Sequence, residues 1–241
     1  MISIREQCKK LYIEAFRDDL EFTELLFDTL FDSSCRYLLE CDRVVSMLFA
    51  IDVTLNGSKG KYVYAVATDE KMRGKGYMRI LFDKITDEFG FDYDFLCLRP
   101  MDDTLFLFYE KLGFERKFKK SKIIKSMSKN NPELVFVEDI NSIKKTRKTL
   151  LKENYVEYSD DFYKLILSYC NAYCDDIDSP TVFVVSEKIS KKVKEVLGNH
   201  NNLPENFSSK ELLTCGDEFD FAMIKPLKNK KFEGYLGYAL D

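Results

Sequence analysis

The chain has 241 residues, 45% of them apolar and 14% aromatic, enough to bury the core of one large domain or two small ones. Its formal net charge of −4 argues against a general nucleic-acid binder, which is normally basic. No apolar run reaches the roughly 18–20 residues that span a bilayer, so we expect no membrane association. The first residues lack the apolar core of a signal peptide, and we predict a cytoplasmic protein.

The cysteines indicate neither a disulfide framework nor a metal site. No CxxC pair occurs among the seven, and we expect reduced thiols. Cys170 and Cys174 are spaced as two ligands on one helix face would be. Because no histidine or further cysteine pair accompanies them, the pattern favours core packing. We predict that the chain binds no metal.

The first 68 residues predict two amphipathic helices and a three-stranded meander. Apolar residues recur at helical spacing in the helices, and β-branched and aromatic residues mark the strands. Asn56-Gly57 is a strong hairpin signal between the second and third strands. The predicted elements cover 3–16, 21–31, 37–41, 44–55 and 61–68.

A glycine-rich loop follows the third strand. It reads Arg73-Gly74-Lys75-Gly76 and leads into an apolar-periodic segment from Met78 to Phe89, which predicts a helix. Glycines let the backbone approach a ligand closely, and the first turn of a helix presents unpaired N–H groups. Because Arg73 and Lys75 add positive charge, the loop suits a phosphate, although a plain surface loop entering a helix has a similar composition.

Two motifs together resemble the GNAT superfamily of acetyl-CoA-dependent N-acyltransferases. That family's loop reads Arg/Gln-x-x-Gly-x-Gly/Ala; Arg73 and Gly76 match it, and Met78 occupies the last small position. A second strand at Phe95–Leu98 precedes a helix ending in Tyr-Glu-Lys-Leu-Gly-Phe, the family's usual terminus, at Tyr109–Phe114. The resemblance covers about residues 1–125. It implies an α+β fold with a central mixed, mostly antiparallel sheet flanked by helices.

The resemblance also implies how acetyl-CoA would be held. The strand before the loop would pair with the pantetheine arm, and one of its N–H groups would polarise the acetyl carbonyl. The loop and the helix start would hold the pyrophosphate. Asp102 occupies a position where the family often has a cofactor-contacting Asn. The implied cofactor residues are Val66, Ala67, Thr68, Arg73, Gly74, Lys75, Gly76, Tyr77, Met78 and Asp102.

Tyr109 stands where the family keeps its general acid. A phenol can protonate a leaving thiolate, but Tyr109 could instead be an ordinary core aromatic. The strand before the loop carries no carboxylate to act as a base. Asp52 on the neighbouring strand is one candidate, and the C-terminal carboxylate at Asp241 is a second. Water relaying to a backbone carbonyl would also serve.

The second half predicts a smaller α+β domain, with a degenerate copy of the first fold as an alternative. We place the domains at 1–127 and 128–241, separated by a linker near 126–132. Strands are predicted over 134–137, 181–185, 212–215, 219–224 and 235–240, and helices over 140–152, 160–174 and 186–197.

The leading prediction is an enzyme that transfers acetyl from acetyl-CoA directly to a primary amine of a small molecule or peptide. A different class is a non-catalytic acyl-CoA-binding sensor or regulatory protein, and a third is a partner-binding protein on the same scaffold. Acetyl-CoA is the implied co-substrate. The chain is expected to be a monomer or a homodimer.

Overall fold

The computed structural model describes residues 2–124, 133–199, 203, 207 and 211–238. Over these residues the helices are α1 (Ile4–Phe16), α2 (Leu20–Ser34), α3 (Tyr77–Phe89), α4 (Asp103–Glu110), α5 (Ile140–Leu151) and α6 (Asp160–Tyr169). The strands are β1 (Cys35–Glu40), β2 (Arg43–Leu55), β3 (Ser58–Thr68), β4 (Phe95–Leu98), β5 (Glu115–Ile124), β6 (Val135–Val137), β7 (Val156–Tyr158), β8 (Cys170–Cys174), β9 (Val182–Glu187), β10 (Val193–Gly198), β11 (Glu211–Cys215) and β12 (Phe219–Pro226). None of these helices is long and apolar enough to cross a membrane.

The chain divides into two compact units. One comprises Met1–Arg116 with Ala222–Phe232, and the other Lys117–Phe221 with Glu233–Asp241. These units differ from the predicted domains because the chain returns to the first unit near its end. There the last residues of β12, from Met223 to Pro226, pair antiparallel with β4. The predicted linker near 126–132 lies outside the described residues.

A mixed sheet organises the first unit. Its strands lie in the order β1-β2-β3-β4-β12. Neighbouring strands are antiparallel except β3 and β4, which are parallel. The 3–16, 21–31, 37–41, 44–55 and 61–68 predictions are confirmed by α1, α2, β1, β2 and β3 to within a few residues, and Asn56-Gly57 forms the β2–β3 turn.

Alternate residues of the sheet face different helices. Leu48 and Ala50 of β2 pack in a buried cluster with side chains of α3 and α4. Phe49, between them, instead contacts Phe27 of α2, with ring centroids 5.4 Å apart. Because successive strand residues point to opposite faces, α1 and α2 cover one face of this sheet and α3 and α4 the other. This is the predicted arrangement of a mixed sheet flanked by helices.

The second unit is the smaller α+β body that the sequence predicts. It contains the antiparallel pair β5–β11 and a four-stranded antiparallel sheet in the order β10-β9-β8-β6. Inside it, the buried guanidinium of Arg147 donates to the Tyr163 hydroxyl at 2.6 Å, and its Nε lies 3.4 Å from Glu195 Oε2. Burial of this ion pair requires such partners because isolated charges are costly to bury.

Three sequence predictions for this unit are wrong. The helix predicted over 160–174 ends at Tyr169 and continues as β8, so Cys170 and Cys174 lie on a strand. The helix predicted over 186–197 is the turn and strand of the β9–β10 hairpin. The strand predicted over 235–240 is absent from its described part, where Tyr235 makes an isolated bridge.

Candidate active site

Strand β3 runs past the end of its parallel neighbour. Residues Gly60 to Val63 pair with Phe95 to Leu98, and β4 then ends. Strand β3 continues to Thr68, so Tyr64–Thr68 has no β4 partner. We call the β4-facing side of Tyr64–Thr68 the open edge. At about 3.3 Å per residue it is about 16 Å long, and it leaves backbone groups available to an extended ligand.

The ladder with β2 fixes which backbone groups face the open edge. The N–H of Asp69 donates to the Val45 carbonyl oxygen at 3.0 Å, which makes this a hydrogen-bonded pair. Hydrogen-bonded and non-hydrogen-bonded pairs alternate along an antiparallel ladder, so the next pair, Ser46 with Thr68, is non-hydrogen-bonded. Thr68 therefore directs its N–H and C=O away from β2, towards the open edge.

Ala67 has the opposite orientation. Its carbonyl oxygen accepts a hydrogen bond from the Ser46 hydroxyl at 3.0 Å, and that hydroxyl also lies 3.1 Å from Thr68 Oγ1. Ser46 is fully buried on β2. Of the three residues predicted to pair with the pantetheine arm, Ala67 faces β2 while Thr68 faces the open edge. An added strand would pair with alternate residues of β3, and Ala67 would not be one of them.

A β-bulge interrupts β3 at the start of the open edge. Phe49 pairs with Tyr64 and Met47 with Ala67, so β3 contains one residue more than β2 between these pairs. Ala65 adopts a φ of 52°, a left-handed conformation that costs a non-glycine residue about 1–2 kcal/mol. Bulges of this kind turn backbone groups and side chains in new directions and are frequent beside functional sites.

The glycine loop joins the open edge to α3. Gly74 and Gly76 have φ values of 77° and 84°, and Gly76 is the N-cap of α3 without a side-chain cap. The first helical bond is donated by Ile80 to the Gly76 carbonyl at 3.1 Å. The N–H groups of the first-turn residues that precede Ile80 have no acceptor within the helix. The start of α3 therefore presents outward-facing donors and the positive end of the helix dipole.

The side chains of the loop are arranged around these donors. Nε of Arg73 donates to the Thr68 carbonyl oxygen at 3.3 Å, which ties the loop to the end of β3. Arg73 and Lys75 are exposed, whereas Tyr77 and Met78 are half-buried. A hydrogen bond with Glu40 raises the pKa of Tyr77. Met78 packs against the cluster that contains Tyr109, so it fills space beside the loop and removes no backbone donor.

Tyr109 lies in the same buried cluster as Val63 and Leu98, the last residues of the β3–β4 pairing. Its ring centroid is 5.7 Å from that of Phe82 and 5.8 Å from that of Phe114. Burial, and then the charge of Asp102, raise the pKa of the phenol, which therefore stays protonated at neutral pH. The hydrogen bonds of the described residues include none made by the Tyr109 hydroxyl, so this proton donor is uncommitted.

Asp102 is the N-cap of α4. Its carboxylate accepts from Thr104 N at 2.9 Å, Thr104 Oγ1 at 2.5 Å and Leu105 N at 3.2 Å. The Thr104 side-chain bond, followed by the backbone bonds, lowers the pKa of Asp102. The residue therefore has a structural role in starting the helix that carries Tyr109. Its predicted contact with the cofactor stays a prediction.

The two carboxylates predicted as general bases are not brought to the open edge within the described residues. Asp52 pairs with Lys61 near the start of β3, and its carboxylate lies 2.9 Å from Lys61 Nζ. It also accepts from the Tyr93 hydroxyl at 2.9 Å. Lys61 lies three positions before Tyr64, where the open edge begins, or about 10 Å along the strand, and seven positions before Thr68, or about 23 Å. Asp241, the other candidate, lies outside the described residues.

The structure shows polar groups beside the site that the sequence did not single out. The Tyr12 hydroxyl donates to the Asp18 carboxylate and lies 3.2 Å from the Tyr64 hydroxyl. Tyr64 is the first residue of the open edge. The available signal was Tyr64 itself, because a tyrosine in a buried strand needs a partner for its hydroxyl. No spacing rule in the sequence identified Tyr12 or Asp18 as that partner.

No protein-family model matches the chain, and no curated protein matches it. Solved structures do. A GCN5-related N-acetyltransferase from Anabaena variabilis aligns over 92% of this chain and 70% of its own, at 13% identity and a TM-score of 0.66. A candidate acetyltransferase from Pyrococcus horikoshii aligns over 98% and 92%, at 13% identity and a TM-score of 0.65. A conserved protein of unknown function from Enterococcus faecalis, described as an N-acyltransferase candidate, aligns over 92% and 70%, at 15% identity and a TM-score of 0.66.

These similarities define a class of fold. The chain has the GNAT fold, and the expectation drawn from the glycine loop and the Tyr109–Phe114 terminus is confirmed at that level. The similarity extends well beyond residues 1–125, where the sequence motifs end. With identities of 13–15%, it identifies the fold alone.

Proposed function

We propose that this chain is an acetyl-CoA-dependent N-acetyltransferase that transfers acetyl directly to a primary amine of a small molecule or peptide. The observation that carries the proposal is the continuity of the open edge with the uncapped start of α3. One offers backbone groups to an extended arm, and the other offers N–H groups and positive charge to a pyrophosphate. These are the two chemically different parts of a CoA thioester, in the required order along the chain.

The residues present fit such a co-substrate. Added Cβ atoms at Gly74 and Gly76 would meet no atom within 4 Å, so the loop backbone is approachable on these sides. The first-turn N–H groups of α3, with Arg73 and Lys75, would hold the pyrophosphate. Thr68 would pair with the arm through its N–H. A backbone N–H at the bulge would stabilise the developing oxyanion, an effect worth about 3 kcal/mol per donor.

Tyr109 would supply the proton for the departing thiolate. Burial raises the pKa of Tyr109, so the phenol is protonated before the reaction begins. Its hydroxyl has no competing hydrogen-bond partner among the described residues. The amine attacks the carbonyl carbon and loses a proton to a base or to water, the carbon–sulfur bond breaks, and the phenol proton passes to sulfur, after which Tyr109 regains a proton from solvent. A general acid typically contributes 10²-fold or more to the rate.

A second candidate function is acyl-CoA binding without catalysis, as in a sensor. Asp52 favours this alternative because Lys61 and Tyr93 already bind its carboxylate, before the open edge begins. Neither a cytoplasmic location nor a monomeric or homodimeric state distinguishes the two functions, and both stay predictions.

Measurement of thiol release from acetyl-CoA distinguishes the transferase from the sensor. The probes are spermidine, a peptide with a free alanine amino terminus, a lysine-containing peptide with a blocked terminus, and kanamycin. Amine-dependent release supports the transferase. Binding of acetyl-CoA without release for any probe supports the sensor, and absence of binding supports a partner-binding protein on the same fold.

A further inference from the structure

A chain of hydrogen bonds leads from the start of the open edge to a carboxylate on the far side of the sheet. The Tyr12 hydroxyl has one proton and donates it to Asp18, because a carboxylate is the stronger acceptor. The 3.2 Å contact between the two phenols is then a donation from Tyr64 to Tyr12. This direction leaves the Tyr64 oxygen free to accept a proton from a ligand.

The two faces of the sheet carry different groups at this point. Val63 packs against α3 and α4 in the cluster that contains Tyr109. Tyr64, the next residue, points to the opposite face, where it meets Tyr12 of α1. Tyr109 and Tyr64 therefore lie on opposite faces of the sheet near the last β3–β4 pair, and within the described part of the chain hydrogen bonds connect Tyr64, but not Tyr109, to a carboxylate.

The position of Tyr64 matches the place where the reaction would occur. A pyrophosphate at α3 lies beyond the C-terminal end of β3. An arm that pairs with the open edge therefore runs back from Thr68 towards Tyr64, and its thioester end reaches Tyr64 last. An amine that attacks from the α1 face would bring its nitrogen to the Tyr64 hydroxyl.

We propose that Tyr64, Tyr12 and Asp18 form a proton relay that deprotonates the acceptor amine. Resting on the proposed function, this inference supplies the base that Asp52 does not provide. The amine nitrogen gives a proton to Tyr64 Oη as the Tyr64 proton passes to Tyr12 Oη and the Tyr12 proton passes to Asp18. Both phenols end neutral, Asp18 ends protonated, and the nitrogen keeps the electron pair that forms the amide bond.

The surroundings suit a relay better than a phenolate base. Burial raises the pKa of Tyr64 and of Tyr12, so neither phenol is ionised at neutral pH. The rings packed around Tyr12 and Tyr64 are Phe16 of α1, Phe27 of α2 and Tyr62 of β3. Asp18 is therefore the charged group in contact with the pair among the described residues. It is half-buried and can return its proton to solvent.

The test uses Tyr64→Phe and Asp18→Asn, with Tyr62→Phe as the matched control. Tyr62 stacks beside Tyr64 on the same strand, with ring centroids 6.4 Å apart. All three variants keep the shape of the side chain. The measurements are the Kd of acetyl-CoA and the kcat/KM of thiol release for the fastest amine among spermidine, the two peptides and kanamycin.

At about pH 7 we expect Tyr64→Phe and Asp18→Asn each to lower kcat/KM by about 100-fold while the Kd of acetyl-CoA stays within about twofold. At about pH 9.5 the loss shrinks to a few-fold, because much of the amine is then neutral without help. A structural defect would lower activity equally at both pH values. The double variant should lose little more than either single variant, because the residues act as one unit.

A pH-independent loss, or a Tyr64→Phe variant that behaves like Tyr62→Phe, would overturn the relay and leave the proposed function standing. If wild-type protein binds acetyl-CoA but releases no thiol with any probe amine, the relay is wrong and the sensor is supported. If wild-type protein does not bind acetyl-CoA, the proposed function itself fails.

Discussion

The Thr68 carbonyl oxygen accepts a hydrogen bond from Nε of Arg73, at a distance of 3.3 Å. This bond joins the last residue of the open edge to the first residue of the glycine loop. It uses one of the five N–H donors of the guanidinium, so the remaining donors and the charge stay available. The loop is thus held beside the strand before any ligand arrives, which lowers the ordering cost of binding.

Gly76 provides a test of the loop with an internal control. Gly76→Ala forces a left-handed alanine and should cost about 1–2 kcal/mol. Because an added Cβ would meet no neighbouring atom, strain is the main effect. The free loop can relieve this strain by leaving the left-handed conformation, which the ligand must then restore, so we expect acetyl-CoA to bind about 5- to 30-fold more weakly, as measured by calorimetry.

The control is Gly57→Ala in the β2–β3 turn. Gly57 has a φ of 78° and equally open surroundings, so the same strain arises away from the site. It should lower the free energy of unfolding by a similar amount and leave the Kd unchanged. Equal weakening of binding by both variants would show that the loop has no special part in holding the ligand.

Tyr109→Phe should separate catalysis from binding. The ring keeps its contacts with Phe82 and Phe114, so the stability and the Kd of acetyl-CoA should change little. Loss of the proton donor should lower kcat by about 100-fold in steady-state thiol-release assays.

Tyr93→Phe is its control, since it removes a hydroxyl bonded to Asp52 elsewhere in the same unit. The control should lose about 1 kcal/mol of stability and keep its kcat. If Tyr109→Phe retains full turnover, Tyr109 is a packing residue.

Asp102→Asn tests the electrostatic link between the helix cap and the acid. Asparagine caps a helix about as well as aspartate, so the stability of α4 should be retained. The charge of Asp102 raises the pKa of Tyr109, and its removal should lower that pKa. Since the phenol stays protonated at neutral pH in both forms and becomes the stronger acid in the variant, kcat at about pH 7 should rise by a few-fold. A kcat that does not rise would contradict the link.

Asp52→Asn should affect stability and not turnover. The Lys61 side chain is largely buried and would lose its carboxylate partner, but the Asp52 side chain is 61% exposed, which limits the cost to about 1 kcal/mol. Urea unfolding should report this loss, with kcat within about twofold of wild type. A kcat reduction of about 100-fold would restore Asp52 as the base.

The cofactor half of the site could be predicted because its signals are local. Gly74 and Gly76 adopt left-handed conformations, which glycine favours, and apolar periodicity predicts the helix that follows. The bulge could not be predicted, since Ala65 has a left-handed conformation that alanine does not favour. Tyr12 and Tyr64 meet only after α1 packs on the sheet, so their contact depends on tertiary structure and leaves no local pattern in the sequence.

The errors in the second unit have a similar cause. The residues Val193, Val196 and Leu197 show helical spacing, and Glu195 reads as part of a polar face. In the structure Glu195 is 1% exposed and pairs with Arg147, and the run is strand β10, which pairs with β9. Beyond Tyr169, the alternating burial of Cys170, Ala172 and Cys174 was a period-two signal within a stretch otherwise typical of a helix.

Calorimetric titration of the wild-type chain with acetyl-CoA asks directly whether the chain binds a CoA thioester. We predict one binding site per chain with a Kd in the micromolar range, weakened in Gly76→Ala and unchanged in Gly57→Ala. Absence of binding at about 1 mM acetyl-CoA would contradict the claim that the open edge and the α3 loop form a CoA-thioester site.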